Sequence, residues 1–294
     1  MKAYGQKGTK MSIFKKASKK QQKLRLLLEG ASGSGKTYSA LILAQTLGKK
    51  IAVIDTEKGS ASLYDKLVDF DVCELNPPFT PEMYINAITE AEKQGYDVLI
   101  IDSITHEWSG KGGCLDIQSG LGGRYQDWAK VTPRHNAFID KLLSANMHII
   151  ATARAKSDYE TTNVNGKMKV EKVGLKTEQR DGLDFEFTLV FRLNENHIAS
   201  ATKDRTSLFF NKEGIIDSTT GEELLNWLNS GEEVNIDNDF DIFSEISNCA
   251  SVEALNTYYK FNVNAVQDKD KFIELCGQQK EKLQKKTVDE VEQK

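Results

Sequence analysis

Cysteine, proline and histidine are scarce in this chain, with four of each in 294 residues. Cys73, Cys114, Cys249 and Cys276 lie far apart and form no C-x-x-C pair. That excludes a disulfide framework and offers no zinc-site spacing. A reducing cytoplasm is the expected compartment. His106, His135, His148 and His197 show no metal-ligand spacing and read as polar core or surface residues. No apolar run approaches the ~20 residues of a membrane span, so no membrane partner is expected. The N-terminus lacks the apolar region of a secretory signal, and Met11 offers an alternative start. No internal repeat is visible. Acids are absent before Glu29, where Lys2, Lys7, Lys10, Lys15, Lys16, Lys19, Lys20, Lys23 and Arg25 cluster. Such a tail either binds nucleic acid or is a solvated arm.

What is present fits a globular protein: 39% hydrophobic and 28% charged residues, with a net charge of −4. Residues 1–23 read as a flexible basic tail, 24–230 as one large core, 231–240 as an acidic linker and 241–294 as a small helical domain. Within the core, apolar strands alternate with helical patterns, which predicts an α/β fold with a mainly parallel sheet flanked by helices. Strands are expected at Leu24–Leu28, Ile51–Asp55, Asp97–Asp102 and His148–Ala153, with helices at Pro81–Gln94 and Trp128–Ala145. Further strands are expected at Phe185–Leu193, His197–Thr202 and Ser207–Phe210, followed by a helix at Gly221–Leu228. Two stretches break the order: the Gly-rich Ser109–Gly123, and the polar Arg154–Arg180, which shows little periodicity and reads as a long loop.

The run Gly30-Ala31-Ser32-Gly33-Ser34-Gly35-Lys36-Thr37 matches G-x-x-x-x-G-K-[ST], the P-loop, between an apolar strand and a helix. Its glycines free backbone N–H groups to face phosphate, and the helix N-terminus adds a favourable dipole. Gly30, Ser32, Gly33, Ser34, Gly35, Lys36, Thr37 and the adjoining Tyr38 form the expected ATP-binding set. Lys36 is expected on the β- and γ-phosphates and Thr37 on Mg²⁺. Asp102 ends an apolar strand as a Walker B aspartate does and is the second Mg²⁺-organising residue; the bland alternative is a helix cap. Hydrolysis needs a group to activate water. Glu57 follows the second strand in Asp55-Thr56-Glu57, where strand ends face the ligand crevice, and is the candidate base. Glu107 is the second candidate.

The stretch Ile51 to Trp108, with IAVIDTEKGSASLYDKL and GYDVLIIDSITHEW, resembles the RecA-like P-loop ATPase core. It is most similar to phage-encoded members, AAA family ATP-binding proteins of the Sak-type single-strand annealing and recombination group. The resemblance covers about residues 24–230. It implies that Glu57 is the catalytic glutamate and that Tyr64 lies on the adenine. Thr152 stands where the family carries a polar sensor, there a glutamine. Two DNA-binding loops are implied at Ser109–Arg124 and Lys156–Arg180. Lys111 and Arg124 in the first, Arg154 at the strand exit, and Lys156, Lys167, Lys169, Lys172, Lys176 and Arg180 in the second would contact single-stranded DNA. Lys203-Asp204-Arg205 looks like the K-x-R element that reaches a neighbour's γ-phosphate, which implies a homo-oligomer, ring or filament, with shared ATP sites. The function so implied is an ATP-dependent recombination ATPase that anneals or exchanges strands. A helicase loader or motor, and a nucleotide-gated scaffold with negligible turnover, are the alternatives. A single-strand-binding or other recombination protein is the partner considered for the C-terminal domain.

Overall fold

The computed structural model describes the backbone of residues 16–164, 167–232, 242–243, 245–263, 266 and 268–292, and the side chains of these except at 157–174 and 286–292. The chain divides into two compact units, Gln21–Gly231 and Met1–Lys20 with Glu232–Lys294.

The larger unit is a mixed α/β structure built on a mostly parallel sheet. In chain order its elements are β1 (Arg25–Gly30), α1 (Lys36–Leu47), β2 (Ile51–Asp55), β3 (Asp71–Glu74), α2 (Pro81–Lys93), β4 (Val98–Asp102), α3 (Thr105–Ser109), α4 (Cys114–Gly120), α5 (Trp128–Ser144), β5 (His148–Val164), β6 (Lys167–Thr177), β7 (Leu189–Leu193), β8 (Ala199–Asp204), β9 (Glu213–Gly214) and α6 (Ser218–Asn229). The sheet order is β3-β2-β4-β5-β1-β7-β8-β9, with β6 paired to β5. β3 to β7 along this order run parallel; β8 and β9 are antiparallel. β5 therefore lies between β1 and β4, and the ends of β1 and β4, carrying Gly30 and Asp102, share one rim with Thr152 and Arg154 of β5.

Strand alternation sorts the core into two layers. Leu26 and Leu28 of β1 point to one face, where Leu41, Leu43, Leu224 and Leu228 of α1 and α6 cover them. Leu27 points to the other face, with Ile88 of α2 and Phe138 and Leu142 of α5. Both layers are apolar because parallel strands are covered on both faces.

The long polar stretch is not a loop. β5 continues past the parallel sheet, and Ala155–Val164 pairs antiparallel with Lys167–Thr177. A strand pair can form from backbone hydrogen bonds without an apolar period. Asn165-Gly166 between Thr- and Val-containing runs is its signal in the sequence, although those two residues lie outside the described ones. The Gly-rich stretch contains α4, and the exposed edge strand β3 had no apolar signal.

The late strands also differ from expectation. Leu183–Glu186 is a 3₁₀ turn, so the strand begins at Leu189; the next is Ala199–Asp204. Ser207–Phe210 is not a strand. The Asp204 carboxylate accepts the backbone N–H groups of Thr206, Ser207 and Phe209 at 2.7, 3.1 and 2.8 Å and curls the chain into a turn.

In the smaller unit, helices Val252–Asn262 and Lys269–Glu292 enclose a core of Ile246, Leu255, Val266, Phe272 and Cys276. Its N-terminal piece is tied rather than free. Glu232 N–H donates to Lys19 O at 2.8 Å, and Ser18 Oγ donates to the Glu232 carboxylate at 2.9 Å. The rest of the expected basic tail, residues 1–15, and residues 233–240 of the expected acidic linker lie outside the described residues. No helix among the described residues is long and apolar enough to cross a membrane.

Candidate active site

The P-loop leaves β1 at Gly30 and enters α1 at Lys36. Gly35 takes φ 88°, and a Cβ there would lie 2.9 Å from His197 Nδ1, so glycine is required both by conformation and by space. Lys36 Nζ donates to Gly30 O at 3.1 Å and Ala31 O at 2.8 Å. Burial pulls its pKa down, while Asp102 and Glu57 oppose the shift. Ser34 Oγ is the one buried side-chain polar atom among the described residues that lacks a hydrogen-bond partner. An orphaned hydroxyl inside a loop whose lysine is satisfied only by loop carbonyls is a cradle built for an external acceptor, and a nucleotide phosphate fits it.

Asp102 is 3% exposed. Thr37 Oγ1 donates to its Oδ2 at 2.6 Å and Thr152 Oγ1 to its Oδ1 at 2.5 Å. Burial raises the Asp102 pKa, and the two threonine bonds pull against that shift. Thr37 and Asp102 thus meet as the oxygen pair that would hold Mg²⁺ directly and through water. Thr152, the polar residue at the β5 exit, holds the aspartate in place.

Glu57 sits two residues past the end of β2. Asp55 shapes its loop by accepting from Glu57 N at 2.6 Å and Ala61 N at 2.9 Å. Arg154 grips the Glu57 carboxylate with both Nε, at 3.0 Å, and Nη2, and Ser103 Oγ lies 3.4 Å from Oε1. Arg154, expected among the DNA contacts, pairs in the structure with the candidate base. His106 Nδ1 shares a 2.7 Å hydrogen bond with Thr56 Oγ1 and stacks on Phe79 at 5.0 Å. With Glu57 and Arg154 these residues line a cavity of ≈ 350 Å³. Glu107, the second candidate base, is 0% exposed and bonded to Cys114, His135 and Gln179. It has no place at this rim's open surface.

The other expected residues are dispersed. Tyr64 and Tyr38 meet edge to face at 6.2 Å, with Tyr38 partly exposed. Lys203 Nζ donates to Asp184 O at 2.9 Å and to Phe185 O, and Arg205 Nη2 donates to Phe185 O at 3.0 Å. Arg124 pairs with Asp127 at 3.1 Å, Lys176 with Asp181 at 2.8 Å and Lys156 with Glu178 at 3.9 Å. Arg180 Nη1 reaches Asn136 Oδ1 at 3.4 Å, and Lys111 is exposed. Lys167, Lys169 and Lys172 belong to β6, but their side chains lie outside the described residues. Sequence reasoning missed the contacts of Thr56, Ser103, His106 and His197; nothing in their spacing marks them.

A P-loop at a strand–helix junction, an acid at the end of the strand two places away and a mostly parallel sheet define a P-loop nucleotide-binding ATPase. A family model for an AAA domain matches residues 22–218, and the chain belongs to that family. No curated protein matches the chain.

Proposed function

We propose that this chain is a phage or prophage recombination ATPase that binds single-stranded DNA under the control of ATP and promotes annealing or strand exchange in a bacterial cytoplasm. The observation that carries this reading is the path of β5. One strand supplies Thr152 to the Walker B aspartate and Arg154 to Glu57, then leaves the sheet as a lysine-bearing hairpin. A strand bound along that hairpin would pull on Arg154, and release of the Arg154–Glu57 pair would free the carboxylate to orient water. Bound ATP and Mg²⁺ would supply the phosphoryl group and the charge that polarises it. Lys36, Thr37 and Asp102 would hold these, and Tyr38 and Tyr64 are the residues that would bind the base.

The register also supports an oligomer. Leu193 of β7 lies beside Gly30, whereas Leu189 lies beside Leu26 and Asp204. Lys203, opposite Val190, and Arg205, bonded to Thr188, are thus about 10 and 17 Å along the sheet from the level of Gly30, at ~3.3 Å per residue. At that distance they would serve a neighbour's site, as arginine fingers do, rather than their own. The C-terminal helices are the candidate surface for a recombination partner. A second reading, a nucleotide-gated scaffold with slow turnover, is favoured by the hold of Arg154 on Glu57.

The test is ATP hydrolysis with no DNA, with single strands and with duplex, at two salt concentrations. Salt-sensitive stimulation by single strands alone supports the recombination reading. Turnover indifferent to DNA overturns it, and turnover unchanged by Glu57→Gln favours the scaffold. Replacing Lys167, Lys169 and Lys172 by alanine should flatten the salt slope of single-strand binding by about 2 logarithmic units per decade. An unchanged slope removes the hairpin from the DNA site.

A further inference from the structure

α3, α4 and α5 meet at a polar knot formed by Glu107, Cys114 and His135, which are 0%, 0% and 3% exposed. The Cys114 thiol donates to Glu107 Oε1 across 3.0 Å, and His135 Nδ1 lies 3.0 and 3.2 Å from the two carboxylate oxygens. One ligand atom from each residue falls within 4.8 Å of the others. Gln179 Nε2 donates to Glu107 Oε2 at 3.2 Å and to Ile104 O at 3.0 Å, which fixes the orientation of the carboxylate. The backbone is shaped for this meeting. A Cβ at Gly113 would lie 2.6 Å from the carbonyl oxygens of His106 and Glu107, so only glycine lets α4 start hard against α3 and present Cys114 to Glu107.

Charge makes the knot more than a set of hydrogen bonds. A carboxylate withdrawn from water is stabilised by a compensating positive charge. Among the described residues, neither lysine nor arginine bonds to Glu107; its partners are a thiol, an imidazole and an amide. A divalent cation would be balanced by two anionic ligands, carboxylate and thiolate, with a neutral imidazole.

We propose that Glu107, Cys114 and His135 form a structural binding site for one zinc ion. Sulfur, nitrogen and carboxylate oxygen together are the zinc donor set, and Glu107 can offer both oxygens to complete four-fold coordination. Mg²⁺ and Ca²⁺, which take oxygen ligands, do not suit a thiolate. Binding displaces the Cys114 thiol proton to solvent. Gln179 is the outer partner that orients the carboxylate, a role known to tune metal affinity. Complete burial makes the site a closed clamp rather than a place for a bound water. It joins α3, which follows directly on Asp102, to α4 and α5.

The test uses the full chain, purified and dialysed against chelator, then titrated with Co²⁺ and back-titrated with Zn²⁺. The expected result is one equivalent bound per chain with a thiolate-to-cobalt charge-transfer band that zinc abolishes. Thr37→Ala, which removes a ligand of the nucleotide site, should leave the band intact; Cys114→Ser should abolish it and weaken zinc binding at least tenfold. Wild-type protein that binds cobalt without a thiolate band, or a band that survives in Cys114→Ser, overturns the proposal. Zinc X-ray absorption on the wild-type protein needs no variant. One sulfur among nitrogen and oxygen neighbours supports the site, and a shell without sulfur overturns it.

Discussion

The two rims of the parallel sheet both carry buried or half-buried cations, and they use them in opposite ways. At the rim where β1, β4 and β5 end, Lys36 rests on two loop carbonyls, Arg154 grips Glu57, and Ser34 Oγ has no partner. At the rim where these strands begin, Arg25 is 7% exposed and donates to the carbonyls of Leu24, Leu143, Ala145 and Met147, closing the end of α5. Burial pulls its pKa down only to about 10, so it stays charged at neutral pH. Beside it, Leu24 N–H donates to His148 Nδ1 at 3.0 Å. One rim leaves hydrogen-bonding capacity unspent, which a ligand requires; the other saturates it, which a fold requires. Arg25, counted in the sequence as part of a basic N-terminal cluster, belongs wholly to the second kind.

Substitutions at the two rims should therefore separate function from stability. Lys36→Ala is expected to lower ATP turnover by at least about 100-fold, the scale for losing one preorganised charge on a reacting group. Its denaturation midpoint should stay close to wild type; a large drop in the midpoint would erase the contrast. Arg25→Met should do the reverse. Each helix-end carbonyl left buried without a donor costs about 1–3 kcal/mol, so the urea midpoint should fall sharply, while turnover per folded molecule is retained. Loss of turnover in protein shown to be folded would place Arg25 in the function of the first rim.

The smallest effect is one of pH. Burial, with Lys23 and Arg25 nearby, pushes the His148 pKa down to about 4 from an ordinary 6.5. The unfolded chain takes up this proton first. The stability His148 allows is therefore complete above pH 6.5 and is lost as pH falls from 6.5 towards 4, by up to about 3 kcal/mol. Urea denaturation across this window should show that slope, and His148→Gln, which keeps an acceptor for Leu24 N–H, should flatten it. An equal slope in the variant would assign the acid sensitivity to other groups.

The parts of the nucleotide site that were legible in the sequence are those whose chemistry is contiguous. Gly30 to Thr37 carries its own geometry, and Asp102 is marked by the apolar run before it. Glu57 was legible by its place after β2, but its capture by Arg154, 97 residues away, was not. The hairpin was missed because its Thr- and Lys-rich strands carry no continuous apolar run in the sequence, so the period that reveals β1 or β4 is missing. Ser207–Phe210 has a strand-like composition, yet the Asp204 side chain outcompetes the ladder for its N–H groups. The scattered cysteine and histidine showed no ligand spacing along the chain; Glu107, Cys114 and His135 become neighbours only where three helices cross.

By itself, then, the sequence determined the alternation of strands and helices, the phosphate-loop motif and the acid at the end of an apolar strand, because hydrophobic period and a fixed local motif act within a few residues. The tertiary structure alone decided which cations stand at the crevice rim and which close a helix end, which carboxylate stays near the crevice and which is sealed among a thiol and an imidazole. Those outcomes depend on desolvation and on partners supplied by distant segments, and neither is encoded in any single stretch of chain.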